Sequence, residues 1–537
     1  MNRVVSVILS CAVVLSLMLT AAPAYAADES PIPAKTGFQA MRDSLQLTFS
    51  DEFDGTEIDK TKWGYEGSRR HRNNEAQVYA DTDEDGNAYI EDGNLVIEAR
   101  KEDRVGYVKQ SDGTYAEQTY HYTSACMRSD FVENKNYFKY GMIEARIKIP
   151  TGSGLWPAFW TCGYDDFTDK TSWPATGEID ILENFGNNNT NRNYLASNTL
   201  HYTDGATVGG AHLIGPSSSY KNPLGEKLSD DYHIYGVYYN ENELVFYFDD
   251  CIINIINISG KKYDSFKTTK QFILLNLAMG GACGGAIPDS FESAKMYVDY
   301  VRVYQAADGD YSHIKIMQAE DTTYSKRGTD RLAKEDNYVA PASKLVTLKN
   351  NVGQTVEFVT DTLQTGAYDV YALTFGDVSK DEYKNLGAYS FSLNGNDTGN
   401  AALLYETAMY NQYYCGTAKI DGEYNLRIDM TQTAAGSDTA KYGGYVDYFL
   451  LVGGSKNEPD VAVSENAALS VFYGDLNYDS NVNLLDLIAM RKHLAKWSIK
   501  IDEAAADCNA DGKINLLDLV LLRKYLAKWN VVLGLQK

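Results

Sequence analysis

Basic residues are in short supply. Lys and Arg number 49 against 73 Asp and Glu, a net charge of −24 over 537 residues. Such a chain repels polyanions, because nucleic-acid binding rests on neutralising phosphates. Nucleic acid is therefore excluded as a partner, sulfated polysaccharide is disfavoured on the same ground, and a neutral polymer is the easier ligand. Long apolar runs are missing too, apart from Val4–Leu19. That run follows Arg3 and precedes the small-x-small site Ala24-Tyr25-Ala26, so residues 1–26 read as a secretory signal. It is too short and too early for a membrane span, and no later stretch approaches about 20 apolar residues. A secreted chain with no membrane span is expected. Cysteine is sparse and scattered. Beyond Cys11 in the signal there are Cys126, Cys162, Cys251, Cys283, Cys415 and Cys508, with no close pairs. That spacing is neither a zinc pattern nor a disulfide scaffold, and it leaves free buried thiols as the expectation.

Tyrosine is plentiful instead: 41, against 18 Phe and 6 Trp. A Tyr ring offers a flat apolar face with a polar tip, which suits sugar rings, although strands favour aromatics in any case. Composition divides the chain into zones, about three domains for this length. Residues 44–305 carry four of the six Trp and alternate short apolar runs with Gly, Asn and Asp turns, as in Asn94-Leu95-Val96-Ile97-Glu98-Ala99. With no long helical period, this predicts a β-sandwich of jelly-roll type. Residues 312–453 have no Trp but many Tyr and Thr in strand-like runs, which predicts a second, smaller β-sandwich. Residues 454–470 read as a linker. Residues 471–533 switch to helical patterning and contain a repeat: Asn483-Leu484-Leu485-Asp486-Leu487 returns as Asn515-Leu516-Leu517-Asp518-Leu519, and Leu494-Ala495-Lys496-Trp497 as Leu526-Ala527-Lys528-Trp529. The fold class is mostly β with a small α-helical tail.

The sharpest chemistry is Gly177-Glu178-Ile179-Asp180-Ile181-Leu182-Glu183. In a regular strand, residues i and i+2 share a face, so Glu178 and Asp180 point together. Glu183 is three past Asp180 and points away unless one inserted residue, a β-bulge, swings it back. All three acids then line one cleft. Like charges in a cleft push pKa values apart and keep one carboxyl protonated near neutral pH. Retaining glycoside hydrolysis needs that state: one carboxylate attacks the anomeric carbon and one carboxylic acid protonates the leaving oxygen, at a separation of about 5–5.5 Å. An acidic strand could also be a solvated edge or a metal cluster. But Ile179, Ile181 and Leu182 mark a core strand, where unpaired acids without a function are destabilising, and no His lies close by in sequence.

These acids, with Phe49-Ser50-Asp51-Glu52-Phe53-Asp54-Gly55, Asn73-Asn74-Glu75, Gly154-Leu155-Trp156-Pro157-Ala158-Phe159-Trp160, Leu200-His201-Tyr202 and Tyr297-Val298-Asp299-Tyr300-Val301-Arg302-Val303-Tyr304, resemble glycoside hydrolase family 16. The resemblance is to its laminarinase-like β-1,3-glucanases, whose acid motif has the bulged form; agarases and carrageenases share it. It implies Glu178 as nucleophile, Glu183 as general acid then base, and Asp180 as the residue that holds and tunes the nucleophile. Trp173 falls where the family stacks an aromatic on the sugar, and His201 where it places a His beside the acids. Asn74, Glu75, Trp156, Trp160 and Arg128 are further candidates for substrate contact. Two departures bear on linkage preference. Laminarinases carry an Arg near the position of Cys126, where only Arg128 is close. They also carry a Trp after the Gly-Gly that here precedes Ala282 and Cys283. The implied activity is endo-β-1,3(4)-glucan hydrolysis; a galactan-cleaving relative and a non-catalytic lectin are the alternatives.

The tail holds two oxygen-rich loops, Asp475, Asn477, Asp479, Asn481, Asn483, Asp486 and Asp507, Asn509, Asp511, Lys513, Asn515, Asp518. They occupy positions 1, 3, 5, 7, 9 and 12 of a calcium loop, position 7 through its backbone carbonyl. Each runs into an apolar helix, and a polar turn would not recur in register. The pair resembles a dockerin, which implies two calcium ions and a cohesin on a cellulosome scaffold as partner. The implied recognition positions are Leu484, Leu485, Leu516 and Leu517, with Arg491-Lys492 and Arg523-Lys524. Leucines there imply an apolar interface, and the near-identical halves allow two binding orientations. Gln318-Ala319-Glu320-Asp321, Thr365-Gly366-Ala367-Tyr368 and Tyr445-Val446-Asp447-Tyr448 resemble family 6-like carbohydrate-binding modules, which implies Glu320 and Asp447 as ligands of a structural calcium. Tyr410, Tyr413 and Tyr414 are candidates for a sugar platform there; a structural spacer is the alternative.

Overall fold

The computed structural model describes residues 36–534 apart from 70–71, 134, 165–171, 222–225, 326–328, 334–344, 350, 376–384, 406–410, 437–443 and 480. The expected signal, residues 1–26, and Tyr410 lie outside the described residues. The chain is mostly β, as its alternating patterns predict. The first sandwich has an outer sheet whose central strands are His233–Tyr239, Gly141–Lys148, Ser293–Gln305 and Asn94–Arg100. Against it lies a second sheet in the order Leu213–Ile214, Leu195–Tyr202, Glu178–Glu183, Leu155–Tyr164, Lys270–Met279, Cys126–Arg128, Gly64–Tyr65. Trp63, Phe159, Leu200, Phe246, Leu275 and Val303 fill the space between the sheets and are fully buried. The period of two sends their neighbours Trp160, Asn276 and His201 to the other face.

In the Glu178–Glu183 strand, Trp160 pairs with Asp180 while the preceding Phe159 pairs with Leu182, so Ile181 is the extra residue. The register against Leu195–Tyr202 also shifts between Asp180 and Glu183. The bulge holds because Ile179, Ile181 and Leu182 all bury in the core, at 0%, 3% and 0% exposure. Gly177 takes φ +80° to turn the chain into this strand, a conformation that side chains rarely adopt.

The second sandwich has two main sheets around Phe358, Phe391, Ile428 and Phe449. Part of the segment expected as linker belongs to it. Val461–Val463 pairs in parallel with Asn411–Ile420, and Asp460 accepts the Thr417 N–H at 2.8 Å. Val461 and Val463 point inward and Ala462 outward, a period of two too short to stand out as a strand. Tyr413, proposed as a sugar platform, is buried in this core, and Tyr414 packs against Tyr371 with its hydroxyl bonded to Thr417.

The helix Gly37–Ser44, not expected from the sequence, is wedged between the two sandwiches. Phe38 and Met41 pack with Met142, Tyr238, Tyr247 and Ile252 of the first and with Leu373, Tyr448 and Leu450 of the second. A Cβ on Gly37 would lie 2.6 Å from Leu450, so the approach is too close for any other residue without movement. Arg42 donates to buried Glu144 at 2.8 Å and also to Asp250, while Tyr247 donates to Glu144 at 2.9 Å. The six described cysteines are free thiols; five are buried and Cys283 is half-buried. Among the described residues, no helix is long and apolar enough to cross a membrane.

Candidate active site

The bulge brings Glu178, Asp180 and Glu183 to the wall of one cleft of about 440 Å³. Each glutamate is clamped by an indole N–H: Trp173 donates to Glu178 at 2.6 Å, and Trp156 donates to Glu183 at 2.9 Å. His201 Nε2 lies 3.1 Å from Asp180 Oδ2 and 3.9 Å from Glu178 Oε1. Among the described residues Asp180 Oδ2 has no hydrogen-bond partner, so the His201 contact is a close approach and not a hydrogen bond. Glu178, Asp180 and His201 present atoms within 4.8 Å of one another; we assign no ion to them.

Burial raises all three acids. Glu178 is pushed up to about 8, chiefly by desolvation and then by Asp180. Asp180 is pushed up to about 7 by desolvation, against a hydrogen bond with Glu178. Glu183 rises well above the carboxylate range, by desolvation and then by Asp180 and Glu178. The partners separate the roles. His201, Arg72 and the Trp173 N–H all favour the charged form of Glu178, whereas Glu183 faces two carboxylates with only the Trp156 N–H and distant His201 to offset them. Glu183 is the better-placed holder of a proton, and Glu178 the better-placed anion.

The opposite wall carries a charge-balanced network. Arg72 pairs with Glu66 and sits 5.1 Å over the Trp160 ring. Arg128 donates to Glu66 at 2.8 Å and to Asp130 at 2.9 Å, with its guanidinium between Phe131 and Phe272. Arg128 thus lines the cleft but has its donors committed. Trp160 donates to Asn276 at 2.7 Å, which fixes its ring as part of the cleft wall. Cys126 and Cys162 also face the cleft, and burial pushes both thiols up so that they stay protonated.

Glu75 lines the cleft, held by Gln77 at 2.8 Å and by Tyr79. Asn74 does not; Asn73 takes its place. Both asparagines adopt positive φ, 51° and 56°, so counting by strand parity fails at this turn. Arg72, Glu66, Tyr79 and Cys162 carried no signal as site residues in the sequence, beyond Arg72 standing beside Asn73-Asn74-Glu75, whereas Asn276 lies in Asn276-Leu277-Ala278, a segment that shares the family resemblance.

In the tail, Asp475, Asp486 and Asp518 are fully buried. Asp486 accepts the N–H groups of Leu476 at 2.8 Å and Asn483 at 2.8 Å, and Asp507 accepts that of Asp511 at 3.0 Å. Burial, with Asp475 and Asp479 opposing the charge, raises Asp486. Oxygen-only donors around buried carboxylates fit a hard divalent cation. Asn483 and Asn515 accept the N–H groups of Leu485 and Leu517 as helix caps, so their side-chain oxygens are committed at the helix ends. Leu484, Leu485, Leu516 and Leu517 are 58–67% exposed. In the second sandwich, Ala319 donates to the Asp447 carbonyl at 2.8 Å, and the Tyr448 hydroxyl is pushed up by burial and then by Asp447, Glu320 and Asp321.

Residues 44–306 match the family model described as β-porphyranase A–D, GH16 domain, and residues 473–527 match that of the dockerin type I domain. A β-glucanase of Rhodothermus marinus is 30% identical over 273 residues, which cover 48% of this chain and 85% of that protein. The chain belongs to glycoside hydrolase family 16. Its family-16 domain is also similar to the clotting factor G alpha subunit of Tachypleus tridentatus, 36% identical over 268 residues, covering 49% of this chain and 34% of that protein. Glucan endo-1,3-β-glucosidase A1 of Niallia circulans is 30% identical over 299 residues, covering 52% of this chain and 40% of that protein. The chain thus spans well under half the length of these last two curated relatives. Dockerin type I domains bind calcium, so the tail of this protein is a calcium-binding module.

Proposed function

We propose that the chain is a secreted, retaining endo-β-1,3(4)-glucanase attached to a cohesin-bearing scaffold through its tail. The observation that carries this reading is the bulge at Ile181, which puts Glu183 in one cleft with Glu178 and Asp180, each glutamate clamped by a tryptophan N–H. Glu178 attacks the anomeric carbon as the Glu183 proton passes to the departing glycosidic oxygen. Water, deprotonated by the same Glu183, then releases the sugar from Glu178. Asp180 keeps Glu178 in place and, between two glutamates, keeps one proton in the set. Trp173, half exposed, offers a ring face to the sugar.

A neutral polymer is favoured because Arg72 and Arg128, the cleft's guanidinium groups, are balanced by Glu66 and Asp130. Among the described residues that line the cleft, an anionic substituent would find both guanidinium groups already paired with carboxylates. The names of the Rhodothermus and Niallia relatives point the same way. The second reading, cleavage of a galactan, is favoured by the porphyranase description of the matching family model. In the tail, the two loops would hold one calcium each, through Asp475, Asn477, Asp479 and Asp486 and through Asp507, Asn509, Asp511 and Asp518, with carbonyls of Asn481 and Lys513. Asn483 and Asn515 would cap the helices. The exposed leucines would meet the cohesin. Glu320 and Asp447 would hold a structural calcium in the second sandwich, whose boundaries we place at 312–463. Reducing-sugar release from laminarin, lichenan and agarose tests the reading. We expect release from the first two and none after Glu178→Gln; full activity in that variant, or release from agarose alone, refutes it.

A further inference from the structure

His201 has a second neighbour that the reaction scheme leaves unused. His212, exposed on the segment that follows the His201 strand, places its Nε2 2.8 Å from His201 Nδ1. The two ring centroids are 5.1 Å apart, and the His212 and Trp173 rings meet edge to face at a centroid distance of 4.7 Å. Glu178 and Asp180 on the acid strand face the other side of His201, and Glu183 acts on it from further along the same strand. Arg72 bears on Glu178 from across the cleft.

We propose that His212 is a positioning residue that keeps a proton on His201 Nε2, the ring nitrogen 3.1 Å from Asp180, in both charge states of His201. The geometry leaves few arrangements. When His201 is neutral with its proton on Nε2, its Nδ1 must accept, and His212 donates from Nε2. When His201 is cationic, both its nitrogens donate, and His212 accepts at Nε2 with its own proton on Nδ1. A neutral His201 with its proton on Nδ1 would turn a lone pair towards the Asp180 carboxylate, which is repulsive. An imidazole can exchange tautomers between these roles, whereas a hydroxyl-free apolar ring can play neither. Two cations 2.8 Å apart are strongly disfavoured, and desolvation and His201 both lower His212, which keeps it available as the neutral partner.

The proposal rests on the glucanase reading only for its kinetic arm. In the full chain carrying ¹⁵N-labelled histidine, the His201 signals are those lost in His201→Gln. The expected wild-type pattern is a protonated Nε2, replaced in His212→Phe by a mixture of tautomers and restored in His212→Gln, whose amide can donate or accept. Against laminarin, His212→Phe should lower kcat/KM about tenfold, because His201 loses the hydrogen bond that sets its tautomer, and His212→Gln should recover most of the loss. An unchanged His201 tautomer in His212→Phe overturns the proposal, whether or not laminarin is cleaved. A wild-type chain that shows the tautomer dependence but cleaves no glucan overturns the glucanase reading and leaves the His212 assignment standing.

Discussion

Burial of Glu178 should lower the stability of the fold at neutral pH, and replacing it with glutamine should reveal by how much. The carboxyl has an ordinary value of 4.5 and is pushed to about 8 in the folded chain, with only 15% of its side chain exposed. Between those values the unfolded chain has released a proton that the folded chain retains, so stability falls as pH rises. At about 1.4 kcal/mol for each tenfold change, the gap amounts to about 5 kcal/mol if Glu178 titrated alone. It does not, because Asp180, raised to about 7, and Glu183, raised well above the carboxylate range, compete for the protons of the set, so about 2 kcal/mol is the expected net effect. Glu178→Gln keeps the shape and removes the charge. The variant should be more stable than the wild type by about 2 kcal/mol near pH 8 and within about 0.5 kcal/mol of it near pH 4, where both side chains are neutral. Denaturant titration monitored by tryptophan fluorescence measures this. The chain has several domains and is not two-state, so the transition of the family-16 domain must be resolved and its midpoints compared. An equal gap at both pH values, or a variant less stable near pH 8, would refute the argument that burial keeps the acid cluster partly protonated.

Two further outcomes follow from other parts of the molecule. Arg42→Met leaves Glu144, fully buried, with Tyr247 as its remaining hydrogen-bond donor. It should destabilise the chain by about 3–5 kcal/mol in thermal melts, and Arg42→Met with Glu144→Gln should recover most of the loss; an unchanged melting temperature in the single variant would sink the idea that the buried Arg42–Glu144 pair anchors this helix to the first sandwich. Chelation with EDTA should abolish the calorimetric transition of residues 473–527 and leave that of the family-16 domain in place, because buried Asp475 and Asp486 repel each other without a cation. Persistence of the tail's helical signal in EDTA would argue that the caps at Asn483 and Asn515 suffice.

The acid motif was legible because strand parity is arithmetic. A step of three from Asp180 to Glu183 demands either a bulge or a glutamate in the core, and the apolar Ile179, Ile181 and Leu182 leave room for only the first. The tail was legible because two loops recur at a fixed offset, and a metal loop constrains every second residue. Where the chain leaves regular geometry, counting fails. Asn73 and Asn74 both turn through positive φ, and the residue that meets the cleft is the first of them. Contacts made across the sequence fail for a different reason. Phe38 donates its N–H to Gln412 at 3.1 Å, a pairing across 374 residues, and nothing in an eight-residue helix specifies such a partner. The same holds for His212, which reads as an ordinary exposed loop residue until the fold sets it 2.8 Å from His201. Local rules fix which face a side chain takes, and only the packing of distant strands decides what that face meets. The acids of this cleft, with Trp156, Trp173 and His201 beside them, could therefore be found from the sequence, while Arg72 and His212, which also bear on the charge of the set, could not.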